Sequence, residues 1–215
     1  KKSSLKVLHD IKKIKSDSNY YNFDCARLDH VEKNLKKIIS KFSVPDVFIN
    51  CSYPRTEDWG SSSFKDITLE SFRKNVDIHM NSYSWLARLA AEAMVKKDNG
   101  GSIIQLGSTY GIVGQDLNIY EGTVMHENMT YAAIKGGITS LTRQMASYYG
   151  QFKIRVNTLV PGGLYGHVAG KSDKQDPTFV DQYNNKVPLK RMGDPEEVAS
   201  TALFLASEAS SYITG

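Results

Sequence analysis

The chain predicts an α/β fold: a doubly wound parallel sheet with helices on both faces, in one domain. Three observations carry this. Strand-length apolar runs alternate along the chain with segments of helical periodicity. The runs Val47-Phe48-Ile49 and Ile103-Ile104-Gln105-Leu106 are short and apolar, as buried parallel strands are. Each strand closes on a polar or glycine-bearing point: Asp24, Asn50, Ser108 and Pro161-Gly162. In such sheets ligands bind beyond the carboxyl ends of the strands.

In chain order, Ser4 to Ile14 has helical spacing through Leu5, Leu8, Ile11 and Ile14. Asn19 to Phe23 reads as a short strand with Asp24 and Cys25 at its carboxyl end. Asp29 is expected to cap a helix running to about Phe42, with Val31, Leu35, Ile38 and Ile39 as its inner stripe. Pro45 stops it, and the Val47 strand ends in Asn50-Cys51-Ser52-Tyr53. A polar loop runs from Tyr53 to Ile67. Thr68 opens a long helix whose inner face is Phe72, Val76, His79, Tyr83, Leu86, Ala90 and Met94, ended by Asn99-Gly100-Gly101. The Ile103 strand leads to Gly107-Ser108, and an irregular stretch covers Thr109 to Asn128. A helix containing Tyr131 runs to about Tyr149. Ile154 to Val160 is the next strand, and a polar, glycine-bearing segment follows to Val187. Asp194-Pro195-Glu196-Glu197 combines a cap, a first-turn proline and acids on the helix dipole, so a helix starts there and ends near Ser207.

Composition bounds the function classes. A chain of 215 residues with 40% hydrophobic content holds a sizeable core. The net charge of +4 is modest. Its densest run, Lys33 to Lys41, alternates with apolar residues as a solvated helix face does, so nucleic acid is not an expected partner. No apolar run is long enough for a bilayer and no signal-peptide pattern opens the sequence, which points to a cytoplasmic protein without a membrane partner. Cys25 and Cys51 suit a reduced interior as small hydrophobes. His30, His126 and His167 lack metal-ligand spacing, and no metal site is expected.

The segment Tyr131-Ala132-Ala133-Ile134-Lys135 carries the chemistry. Residues four apart share a helix face. The Lys135 ammonium is therefore expected to stabilise a tyrosinate and pull the Tyr131 phenol down from its usual ~10, toward the range of an acid–base catalyst. Tyr149 and Lys153 have the same spacing, but Gly150 between them reads as a helix C-cap. Fold logic brings Ser108 near Tyr131, because the Tyr131 helix starts just beyond the edge at which Ser108 lies.

These residues resemble the short-chain dehydrogenase/reductase family. The resemblance runs in family order over nearly the whole chain. It rests on Asp24, Asn50 opening a variant of an Asn-Asn-Ala-Gly motif, Ser108, the Tyr131/Lys135 pair, Arg155-Val156-Asn157 and Pro161-Gly162. Arg191-Met192-Gly193-Asp194-Pro195-Glu196-Glu197 and Tyr212-Ile213-Thr214-Gly215 complete it. Asn50 to Arg55, the His79 position and Tyr120-Glu121-Gly122-Thr123 look more narrowly like oxidoreductases of bacterial surface-sugar or flagellin-modification pathways. The resemblance implies a single Rossmann-like domain over residues 1–215, with NAD or NADP as hydride carrier for a carbonyl or alcohol. Tyr131 would be acid/base, Ser108 would hold the reacting oxygen, and Lys135 would tune Tyr131 and hold the cofactor ribose. Asp24 and Cys25, Asn50 and Cys51, and the backbone of Pro161, Gly162 and Gly163 would line the cofactor. The resemblance also suggests a homodimer or homotetramer. A non-catalytic dinucleotide sensor or scaffold is the competing reading, against which the intact Ser108, Tyr131 and Lys135 speak.

Several positions depart from the family pattern. Its amino-terminal strand and glycine-rich turn are missing, and the chain stops where the last strand should begin, so the domain is read as partial at both ends. His79 stands where a catalytic asparagine would align; it is either a core residue or a substitute in a proton relay through Lys135. The stretch between Ser108 and Tyr131 is long, and its Asp116, Tyr120, Glu121 and His126 either line a substrate pocket or form a surface excursion. Gly166 replaces the threonine expected after Pro-Gly. Arg55, Lys171, Lys174, Lys190 and Arg191 would suit a phosphorylated or nucleotide-linked sugar. Residues 163–187 have the composition of a lid, with Gly166 and Gly170 as hinges.

Overall fold

The computed structural model describes residues 2–15, 17–166 and 174–215. Three parallel strands form its sheet: β1 (Val47–Asn50), β2 (Gly101–Leu106) and β3 (Ile154–Leu159), in the order β1-β2-β3. Val47 pairs with Ser102 and Asn50 with Gln105, while Gly101 pairs with Ile154 and Leu106 with Leu159. This register brings all three carboxyl ends to one edge.

The helices are α1 (Lys2–Ile14), α2 (Leu28–Phe42), α3 (Leu69–Asn75), α4 (Ser82–Lys97), α5 (Met129–Tyr149), α6 (Pro177–Lys186) and α7 (Pro195–Ala206). Ala87, Ala90, Ala91 and Met94 of α4 and Met145, Ala146 and Tyr149 of α5 close over Ile103, Ile154 and Val156. Leu205 of α7 packs with Ile104 and Leu159, with Val198 and Ala202 around them. Helices therefore cover both faces, as expected. Burying each such aliphatic side chain contributes about 1.5–3 kcal/mol, which makes these two layers the main source of stability.

Several boundaries differ from expectation. Asn19 to Phe23 is not a strand: its backbone has no neighbouring strand among the described residues, and an extended segment becomes a strand only by pairing. Helix α2 begins at Leu28 with Arg27 at the cap position, and Asp29 lies in its first turn. Gly101 belongs to β2, and the long helix ends instead at Asp98, which takes the left-handed conformation at φ 55°. That helix is also not continuous. Thr68 caps α3 by accepting from the Ser71 N–H, but a π-helical segment, Val76–Asn81, separates α3 from α4. Such wider turns mark functional sites often enough to direct attention to His79 within it. The polar segment before Val187 contains α6, announced by Asp176 accepting from the amides of Thr178 and Phe179 and by Pro177 in the first turn. His167, Gly170 and Lys171 lie outside the described residues.

Candidate active site

Ser108 lies two residues beyond the end of β2 and is buried; its Oγ accepts from the Tyr110 N–H at 3.2 Å and so caps the short turn Thr109–Gly111. That turn presses on α5. A Cβ on Gly111 would lie 2.7 Å from the Lys135 carbonyl carbon and oxygen, so only glycine permits this approach. Glycine 137 admits the Met80 sulfur just as closely, seating α5 on the π-helical segment. Small residues thus draw Ser108, Tyr131, Lys135 and His79 to one place.

Tyr131 lies in the first turn of α5, where its N–H donates to the Asn128 side chain at 2.7 Å. The neighbouring Ser108 hydroxyl acts on its phenol in the direction that favours ionisation. Burial works against this and is the larger influence, so the phenol stands above its ordinary pKa. Contrary to the expectation from the Tyr131–Lys135 spacing, Lys135 does not bring the phenol below its ordinary value.

Lys135 is buried, and its Nζ donates to the Leu106 carbonyl at 2.7 Å. The ammonium lies 5.1 Å from the ring centre of Tyr83, 5.7 Å from Tyr131 and 5.8 Å from Tyr53. Desolvation brings its pKa down to about 8. His79 is fully buried among aromatics, its ring centre 5.1 Å from Tyr53, 5.4 Å from Tyr83 and 6.3 Å from Trp59. Burial first, then the Lys135 charge, pushes its pKa down to about 3, so the imidazole is neutral. Neither ring nitrogen has a hydrogen-bond partner in the protein.

Three residues here carried no sequence signal strong enough to single them out. Tyr83 donates to the carbonyls of Asn50 and Ser52 at 3.1 and 2.8 Å, holding the exit of β1. Asn75 binds Thr56 twice, accepting from its N–H and donating to its Oγ1, and this pins the Tyr53–Trp59 loop. Trp59 stands edge-on to both Tyr53 and Tyr131, at 5.8 and 6.2 Å. Each looks like an ordinary core or loop residue until the fold brings its partners together.

Asn50, Cys51 and Cys25 line one cavity of about 500 Å³ beside the end of β1. Asp24 is exposed next to it and accepts from the Ala26 N–H. The Asn50 amide nitrogen is buried with no protein partner, a donor that a ligand at this edge would satisfy. At β3, Pro161, Gly162 and Gly163 line a second cavity of about 540 Å³ with Tyr183. The Gly163 N–H donates to the Tyr183 hydroxyl at 2.6 Å. A backbone shelf after β3 and an orphaned amide at the end of β1, with β2 between them, fit an extended dinucleotide lying across the edge.

The cations expected to attract phosphate are partly committed elsewhere. Arg191 holds Glu197 through two bonds of 2.7 and 2.6 Å, within the capping box of α7, and Lys190 donates to the Asn185 carbonyl. Arg55 lies 5.3 Å over the Tyr53 ring. Asp116 pairs with Lys186 at 3.0 Å, and His126 Nδ1 lies 2.8 Å from the Glu127 carbonyl. Tyr149 closes α5 and donates to Glu92, while Lys153 takes the left-handed conformation beyond it, so that pair shares no helix.

A family model described as enoyl-(acyl carrier protein) reductase matches residues 2–215. The chain belongs to the short-chain dehydrogenase/reductase family and is an oxidoreductase of that NAD(P)-dependent family. It is 31% identical to post-translational flagellin modification protein A of Campylobacter coli over 194 residues, 88% of this chain and 73% of that protein. It is 32% identical to L-rhamnose-1-dehydrogenase of Scheffersomyces stipitis over 177 residues, 82% of this chain and 63% of that protein. A short-chain dehydrogenase from Leptospira borgpetersenii with bound NAD+ superposes with a TM-score of 0.75 at 28% identity, covering 92% of this chain and 74% of that one.

Proposed function

We propose that this protein interconverts a carbonyl and an alcohol on a sugar or sugar phosphate, with Tyr131 as the acid–base group. The observation that carries the reading is the placement of the Ser108 side chain beside the Tyr131 phenol at the ligand edge of the sheet. NAD or NADP, when bound, supplies or accepts the hydride. Tyr131 delivers its proton to the oxygen of the reacting carbonyl, or takes it back in oxidation. Ser108 donates a hydrogen bond to that oxygen and stabilises the charge that grows there. Lys135 places a positive charge under the Tyr131 ring and offers its remaining N–H donors to the cofactor ribose. Asn50 and Cys51, with Asp24 and Cys25, flank the adenosine end, and the backbone at Pro161, Gly162 and Gly163 receives the carboxamide end.

The relatives named for flagellin modification and for L-rhamnose oxidation support a carbohydrate substrate. Neutral His79, with both nitrogens free to bond, supports a proton path that leaves the site through Lys135. Trp85 and Tyr148, exposed on α4 and α5, support pairing of these helices with a second copy. No described helix is long and apolar enough to cross a membrane, and we assign the protein to the cytoplasm on its two free cysteines.

The test is nicotinamide absorbance in the full-length protein with L-rhamnose and other aldoses, beside Tyr131→Phe. The variant is expected to lose roughly 10²–10⁴-fold in turnover while keeping NADH affinity. Undiminished turnover removes Tyr131 from the mechanism.

A further inference from the structure

We propose that Gln115, acting with Asn128, is a positioning device for the Tyr131 phenol that ties its placement to the docking of α6. This rests on the reading of Tyr131 as the acid–base group. Gln115 lies near the start of the excursion that separates Ser108 from Tyr131, and its side chain spans that excursion. Its Nε2 donates to the Asn128 carbonyl at 3.1 Å, and its Oε1 accepts from the Asn128 N–H at 3.2 Å. One side-chain amide thereby makes both bonds that a neighbouring strand would make. Asn128, so held, turns its own side chain to the catalytic helix. Its Oδ1 accepts from the Tyr131 N–H at 2.7 Å, and its Nδ2 donates to the Trp59 carbonyl at 3.3 Å.

The same Gln115 oxygen accepts from the Tyr120 hydroxyl at 2.9 Å. Tyr120 stacks on Phe179 of α6, with centroids 5.9 Å apart and planes 7° from parallel. Two further bonds fasten α6 to this excursion: Gln182 Nε2 to the Glu121 carbonyl at 2.7 Å, and Lys186 to Asp116 at 3.0 Å. A continuous set of contacts therefore leads from α6 through Tyr120, Gln115 and Asn128 to the backbone of Tyr131. Catalytic geometry is sensitive to displacements well under 1 Å, so a loosened cap at this point separates the phenol from Ser108 without unfolding anything.

The experiment is amide hydrogen exchange by mass spectrometry on the full-length protein, comparing wild type with Gln115→Ala, Gln115→Glu and Tyr120→Phe. Peptides covering residues 129–135 report the cap, and peptides covering 138–149 of the same helix serve as the reference. Losing the amide bridge is expected to lower protection at 129–135 by about five- to tenfold in Gln115→Ala, with the reference unchanged. Gln115→Glu keeps the acceptor for Asn128 and Tyr120 and is expected to recover part of it. Tyr120→Phe removes one hydroxyl and nothing else, so it carries the test should Gln115→Ala fail to fold. Unchanged exchange at 129–135, or an equal loss in both peptides, overturns the proposal. The two readings are separable: normal turnover in Tyr131→Phe ends the acid–base reading, whereas the exchange result decides whether Gln115 braces the cap. A fall in kcat without a matching fall in NADH affinity in Gln115→Ala decides whether that brace positions the phenol, and a kcat equal to wild type overturns it.

Discussion

His79 sets the most informative residue-scale test, because its imidazole is held neutral in a fully buried aromatic setting. Its folded pKa is about 3 against 6.5 for the free side chain. Between those values the unfolded chain binds the proton and the folded one does not, so stability is present above pH 6.5 and is lost as pH falls toward 3. His79→Asn removes this titration and is expected to flatten the decline of the melting temperature over that window. If His79 stands in the proton path, His79→Asn keeps its turnover while His79→Phe, which can neither donate nor accept, loses it. Equal turnover in both variants beside a stability loss marks a core residue instead. Lys135 shows the same balance of burial against charge. Its depressed pKa is the consequence of being desolvated, and the aromatic faces around it return part of that cost.

At the scale of elements, the site depends on how closely backbone segments approach. The turn Thr109–Gly111 lies against α5 because residue 111 has no side chain. In Gly111→Ala the new methyl would meet backbone rather than a flexible side chain, so the turn must lift away and take Ser108 with it. A destabilisation of about 1–3 kcal/mol is expected from the overpacking, together with a larger fall in kcat than in NADH affinity. Calorimetry and steady-state kinetics on the variant check both. The π-helical segment is the second such device: it lets His79 and Met80 face α5 while α3 and α4 keep their own packing.

On the scale of the whole molecule, the cofactor reading predicts that NADH or NADPH raises the melting temperature of the full-length protein. The rise should grow logarithmically with concentration, as mass action on the native state requires. Whichever nucleotide acts at lower concentration identifies the preferred phosphate, and a melting temperature indifferent to both removes the cofactor sites at β1 and β3. Docking of α6 also belongs to this scale, since Tyr183 holds the Gly163 N–H at the same edge.

The order of elements was legible in the chain alone: the apolar runs of β1, β2 and β3, the cap and proline that open α7, and the turn residues at each carboxyl end. So was the meeting of Ser108 with Tyr131, because parallel topology leaves only one edge for both. The extended look of Asn19 to Phe23 misled, since strand identity lies in a partner and not in the segment. The π-helical interruption was hidden because its apolar spacing mimics a continuous helix. Local periodicity and turn chemistry thus determined the α/β class, the order of the three strands along the chain and the shared helix of Tyr131 and Lys135. Tertiary structure alone decided the electrostatics and the bracing. Whether burial or a neighbouring charge governs the Tyr131 phenol, and whether Gln115 meets Asn128, depends on packing between segments far apart in the chain.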